Sequence, residues 1–224
     1  FQEAFPDMAG RPAINPHSVN TAIAAYVASL RGFDSPFDQY VRGEKEEINP
    51  AVVRGFNLFM GKAACGTCHF APGFQGLVPP LYHESETEVL GVPKEAQCEV
   101  AEIDPDLGRY ANGQPKNFVD FYKHSFKTST VRNVALTAPY MHNGVYTSLE
   151  EVMEFYNNGG GAGLGIDLAY QTLAPDSLGL NQGEISDLIL FMESLTDTTN
   201  MTTRPAKLPS FPDSQAWNQR IYQK

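Results

Sequence analysis

Cys65-Gly66-Thr67-Cys68-His69 is the stretch on which the reading of this chain turns. Two thiols separated by two residues reach the two vinyl groups of one porphyrin, and the histidine that follows is placed to take the iron from the same side. Cys65 and Cys68 are therefore read as the thioether anchors of a haem c, and His69 as the proximal iron ligand. Two other uses of a C-x-x-C pair stand beside this one. Half of a zinc site needs a second pair of ligands at short spacing, and the chain offers only Cys98 and the scattered His17, His83, His124 and His142. A thioredoxin-like redox pair should follow a strand in a βαβ pattern, whereas a helical stretch precedes Cys65.

That helical stretch opens at Asn49-Pro50, an N-cap followed by proline at the first helical position, and carries Val53, Phe56, Phe59 and Met60 toward the motif. Further upstream, Asn15-Pro16 starts another helix, with Val19, Ile23, Tyr26, Val27 and Leu30 on one face and Gly32 at its end. Ser35-Pro36-Phe37 begins a short turn and helix. Downstream, residues 70 to 117 hold prolines, glycines and acidic residues without sustained periodicity, and read as long loops wrapping the haem. Cys98 is unpaired once Cys65 and Cys68 hold the haem, and reads as a buried or loop thiol. Beyond Gly159-Gly160-Gly161 the chain is loop-like to about Gly179. Asn181 to Leu195 then forms a last helix with Asn181 and Glu184 as cap partners and Ile185, Leu188, Ile189, Met192 and Leu195 on its apolar face.

The fold class is thus all-α: a cytochrome c-type haem domain with long loops. The expected divisions are 1–16, an N-terminal arm or the remnant of an interdomain linker; 17–195, the haem domain; and 196–224, a C-terminal tail holding Trp217. With 224 residues, 42% of them hydrophobic and 19% charged, the chain can bury one sizeable core. No run of about 18 apolar residues occurs, so no membrane span is expected. A net charge of -10 argues against nucleic acid and suits a basic partner such as a small cytochrome. Thioether attachment points to an oxidising compartment outside the bacterial cytoplasm. The sequence opens at Phe1 without initiator methionine or signal peptide, as a mature, trimmed or excised fragment would.

A second informative block runs from Phe126 to Gly144 and includes Thr130-Val131-Arg132-Asn133 and Pro139-Tyr140-Met141-His142-Asn143-Gly144. It continues through Thr147-Ser148-Leu149-Glu150-Glu151-Val152-Met153-Glu154-Phe155-Tyr156-Asn157. Together with C-x-x-C-H, with Ser35-Pro36-Phe37-Asp38 and with Asp106-Leu107-Gly108-Arg109-Tyr110, this block resembles the C-terminal haem domain of the bacterial di-haem cytochrome c peroxidases, a family that includes the MauG-like enzymes. The resemblance covers most of residues 15 to 195. Family members carry two C-x-x-C-H motifs and this chain carries one, so the resemblance implies an N-terminal haem domain, with the second haem, outside this sequence.

The resemblance further implies an oxidoreductase of the periplasm that reduces hydrogen peroxide to water. Electrons from a small donor such as a cytochrome c would enter through this chain, which would hold no catalytic residue of its own. A MauG-like oxidase acting on a protein or organic substrate, and a non-catalytic electron carrier, are the other readings; family members are often homodimers. Aligning the helix after the Pro-Tyr-x-His-x-Gly motif puts the second axial ligand at Tyr156, with Met153 and Met141 as alternatives. Methionine raises a haem's reduction potential, whereas a tyrosine oxygen favours the more oxidised iron. Arg132 and Lys127 are candidates for the haem propionates and His142 for the haem surroundings. The backbone carbonyls of Thr137 and Pro139 are candidates for a calcium site between the two domains. Each of these residues also has a plain structural use, in core packing, capping or a turn.

Overall fold

The computed structural model describes residues 15–30, 32–97, 99–112 and 120–199. The chain divides into two units, one of them Gly32–Thr198. The first helix falls in the other unit. Cys98, Trp217 and the expected arm up to residue 14 lie outside the described residues.

In the first unit, α1 spans Pro16–Ser29. Asn15 caps it by accepting from Ser18 N, and the Ser18 hydroxyl answers the Asn15 backbone. The residues of its apolar face, Val19, Ile23, Tyr26, Val27 and Leu30, are all exposed. Capping is local and fixes where a helix starts, whereas burial of its face needs a neighbour.

The second unit contains α2 (Pro36–Val41), α3 (Pro50–Met60), β1 (Thr87–Val89), β2 (Ser125–Lys127), α4 (Leu149–Asn157), α5 (Gly160–Gly163) and α6 (Gln182–Ser194). All-α is thus an approximation: the unit is helix-rich with a two-stranded antiparallel ribbon, β1 against β2. Helix starts follow the caps in the sequence. Ser35 with Asp38, Ser148 with Glu151 and Asn181 with Glu184 each form a reciprocal capping box, and Asn49 accepts from Ala51 N.

The core lies where α3 crosses α6. Phe191 of α6, fully buried, meets the rings of Phe37, Phe56, Phe59 and Phe74 edge to face, with centroids 5.0, 5.5, 5.2 and 5.6 Å away. Leu188 and Leu195 complete it at 0% exposure. Gly55 sets how closely the helices approach, since a Cβ there would stand 2.0 Å from the Asp187 carbonyl oxygen. Outside this contact Arg54 grips the Asp187 carboxylate with two bonds of 2.7 and 2.9 Å.

The long connection between α3 and α4 is held by backbone bonds rather than by a large sheet. Gly76, Glu86 and Thr128 close a three-way junction: Gly76 N donates to Thr128 O (3.1 Å), Thr128 N to Glu86 O (3.2 Å) and Glu86 N to Gly76 O (2.8 Å). A second close approach joins Gly161 of α5 to Gly91, where a Cβ on Gly161 would lie 2.5 Å from the Gly91 carbonyl oxygen. Among the described residues no helix is long and apolar enough to cross a membrane.

Candidate haem site

α3 ends at Met60, and the chain turns through Ala64, at a left-handed φ of 55°, into a 3-10 turn over Cys65–Thr67. That turn brings His69 N back onto Cys65 O at 2.9 Å, which puts both thiols and the imidazole at one corner of the unit. His69 Nδ1 lies 3.3 Å from the Phe74 carbonyl oxygen. A carbonyl only accepts, so Nδ1 carries the proton and Nε2 keeps the lone pair that a metal needs. Burial holds the imidazole pKa below its ordinary value, with the Phe74 and Ser129 backbone opposing, so the ring is neutral at neutral pH. The Phe59 ring, in the core, stands 6.2 Å from the His69 ring and fixes its other side.

Both cysteines are free thiols. Burial pushes Cys65 up to about 12. Cys68 is pushed up to about 11, by burial first and then by the neighbouring Glu88 and Glu86 carboxylates. A dithiol redox pair works through a depressed thiol pKa, the opposite of what is found here. Zinc fares no better: among the described residues the one cluster of metal-capable side chains is Cys68, Glu86 and Glu88, which leaves out Cys65 and His69.

Tyr156 projects from α4 into the same interior. Burial raises its phenol pKa, and Cys65, Cys68 and Glu88 are the charges that add to the effect. Among the described residues its hydroxyl has no hydrogen-bond partner. Two devices hold α4 in register: the Ser148 cap at its start, and Asn157 at its end, which exchanges bonds of 3.0 and 2.9 Å with the Leu180 backbone. Met153, on the same helix, is 3% exposed and packed among the core residues around Phe191. Met141 packs in the small cluster of Val92, Tyr146 and Phe155 that Tyr156 also borders.

The other expected residues are placed as follows. Arg132 is enclosed by protein groups: its five N–H donors make five bonds, two to Asp38, two to Pro72 O and one to Gly32 O, leaving none for a propionate. Lys127 is exposed on β2, opposite Thr87. His142 stacks on Phe126, ring centroids 3.6 Å apart, and its Nε2 meets Asp104 Oδ1 at 3.2 Å. Thr137 and Pro139 are exposed beside Tyr140, whose hydroxyl donates to Val134 O. Glu86 and Glu88 were not expected at the site. The alternation Glu84-x-Glu86-x-Glu88 is the one trace they leave in the sequence.

These residues fit a covalently held haem. Two protonated thiols sit one turn apart beside a neutral imidazole, and a phenol borders the same interior. The helix-rich fold and this site define a c-type haem unit.

No protein-family model matches the chain. It is 35% identical over 215 residues to cytochrome-c peroxidase IdrP1 of Pseudomonas sp. (strain SCT), covering 88% of this chain and 54% of that protein. It is 28% identical over 205 residues to the methylamine utilization protein MauG of Methylorubrum extorquens, covering 92% of this chain and 50% of that one. Among solved structures, a MauG-like protein associated with microbial copper homeostasis superposes with a TM-score of 0.63 at 28% identity, over 91% of this chain and 59% of the other. The chain belongs to the bacterial di-haem cytochrome c peroxidase and MauG family. It spans about half the length of the curated relatives it matches.

Proposed function

We propose that this chain is the electron-relay haem c unit, the C-terminal half, of a periplasmic di-haem peroxidase that reduces hydrogen peroxide to water. The observation that carries the reading is the convergence of Cys65, Cys68 and Tyr156 on one interior, with His69 turned back onto Cys65 at the same corner. Bound there, the group supplies one-electron redox chemistry. Cys65 and Cys68, both free thiols, would tether it by adding across its two vinyl groups. His69 offers Nε2, oriented by the Phe74 carbonyl and the Phe59 ring. The phenylalanine core behind His69 keeps water from that side. The second haem, in the other half of the protein, would receive the electrons and meet peroxide. A small donor protein such as a cytochrome c would deliver them. The exposed carbonyls at Thr137 and Pro139 would meet that other half through a calcium ion.

A second reading is favoured by one observation. Met153 is spent in the core while Tyr156 is unpartnered. An oxygen ligand at that position suits a MauG-like oxidase of a protein or organic substrate, because it stabilises the oxidised iron.

Both readings are tested by producing the chain with c-haem maturation machinery and recording its ferric absorption and near-infrared magnetic circular dichroism. Covalent haem is expected under both readings; a spectrum without the methionine charge-transfer band and altered by Tyr156→Phe would favour the MauG-like oxidase. A methionine band would exclude Tyr156 and leave the peroxidase relay; absence of covalent haem would overturn both readings.

A further inference from the structure

The ribbon of β1 and β2 turns one face toward the Cys-x-x-Cys-His corner. Glu88 lies opposite Phe126, and the bond from Thr128 N to Glu86 O continues the ladder two residues further on. Glu86, Glu88, Phe126 and Thr128 therefore share a face, since alternate residues of a strand point the same way and cross-strand partners point together. On that face one carboxylate oxygen from each glutamate and the Cys68 sulfur lie within 4.8 Å of one another. Both glutamates are half-buried, and the Thr128 hydroxyl, in a residue only 7% exposed, has no hydrogen-bond partner. Among the described residues no lysine or arginine pairs with either carboxylate. The cations beside β1 lie with Thr87, on the opposite face of the strand: Arg109 binds Thr87 Oγ1 at 3.3 Å, and Lys127 is the cross-strand partner of Thr87.

Two unneutralised carboxylates packed together cost free energy, so their position calls for a compensating positive charge. A metal ion held with Cys68 does not supply it in the matured protein, because the sulfur becomes a neutral thioether. The positive centre that the matured site does contain is the iron. In a partly dehydrated site two negative charges beside the Cys68 sulfur would stabilise the more positive oxidation state of a haem tethered there well beyond what screened surface charges achieve.

We propose that Glu86 and Glu88 are positioning residues that act through the haem, holding its reduction potential low and its iron oxidised at rest. The inference rests on the haem site proposed above, and deepens it by naming side chains that bias the site toward the oxidised iron.

The test is a spectroelectrochemical titration of the matured full chain and of Glu86→Gln, Glu88→Gln, the double variant, the charge-keeping Glu88→Asp, and Glu47→Gln as an exposed control. Covalent attachment and the ferric spectrum are read first. At a fixed applied potential the reduced-to-oxidised ratio is expected to rise in both glutamine variants. In the double variant the rise is expected to be about tenfold, or about 59 mV for a one-electron couple. Glu88→Asp and Glu47→Gln stay with the wild type. Attached haem with an unchanged ferric spectrum and ratios equal to the control would overturn the inference and leave the site reading standing. A wild-type chain that takes up no covalent haem would overturn both.

Discussion

Arg132 and Asp38 form a two-pronged ion pair in the interior, with bonds of 2.8 and 2.9 Å, although 94 residues separate them. The same guanidinium binds the carbonyls of Pro72 and Gly32 and lies over the rings of Phe33 and Phe74. It thereby ties the entry of the chain into the unit to the loop that follows His69.

Burial raises the Asp38 carboxyl, but the bonds from Arg132 and Ser35 outweigh it and hold its pKa below the ordinary value. A folded pKa below the unfolded one means that the pair stabilises the fold above the unfolded pKa. That stability is lost as pH falls through the folded value. Asp38→Asn should therefore flatten the acid limb of the stability curve below about pH 4. Asp38→Ala, which strands a buried guanidinium, should cost roughly 3 kcal/mol in denaturant titrations at pH 7. Arg132→Lys should also lower stability, because an ammonium cannot make the same five bonds.

Gly55 is the narrowest point between α3 and α6. A methyl group there meets the Asp187 backbone, which cannot swing away as a side chain would. Gly55→Ala should lower stability by about 1–3 kcal/mol despite alanine's higher helix propensity. Because α3 delivers the chain to Cys65, attached haem per protein should fall as well. Thermal unfolding with a haem assay checks both, and a variant as stable as the wild type would refute the close approach.

The Ser148 hydroxyl caps α4, and Glu151 returns bonds to the backbone of Thr147 and Ser148. Those bonds hold the Glu151 carboxyl below its ordinary pKa, so acid should loosen this end of the helix first. Ser148→Ala should cost about 1 kcal/mol. Hydrogen exchange should show faster opening of residues 149–152 while the α3–α6 core keeps its protection.

What was legible in the sequence is what is local. The caps at Asn15, Ser35, Asn49, Ser148 and Asn181 are decided within four residues, and each starts a helix where the sequence puts one. The ribbon escaped because Thr87–Val89 and Ser125–Lys127 are three residues each, too short for alternation to stand out from a loop. Glu86 and Glu88 reach Cys68 through the ribbon's register, and Arg132 reaches Asp38 across 94 residues; the alternation of the glutamates does not name Cys68, and the Arg132 pairing leaves no periodic mark. The α1 residues show the same limit: their spacing puts Val19, Ile23, Tyr26, Val27 and Leu30 on one face, but a pattern does not say whether anything covers it.

The two anchor cysteines are not equivalent, and this makes a last prediction. Cys65 packs against the core cluster of Phe59, Leu188 and Phe191, while Cys68 stands next to Glu86 and Glu88 on the more open side. Either single alanine variant keeps one thiol and His69, so each should still hold haem through one thioether. Its alkaline pyridine spectrum should move to longer wavelength, because one vinyl group stays conjugated. Stability should separate them: Cys65→Ala removes a sulfur from packed surroundings and should cost about 1–2 kcal/mol more than Cys68→Ala. Equal losses would mean that Cys65 contributes tethering alone. Release of the haem into acidified organic solvent from either single variant would show that one thioether does not form without the other.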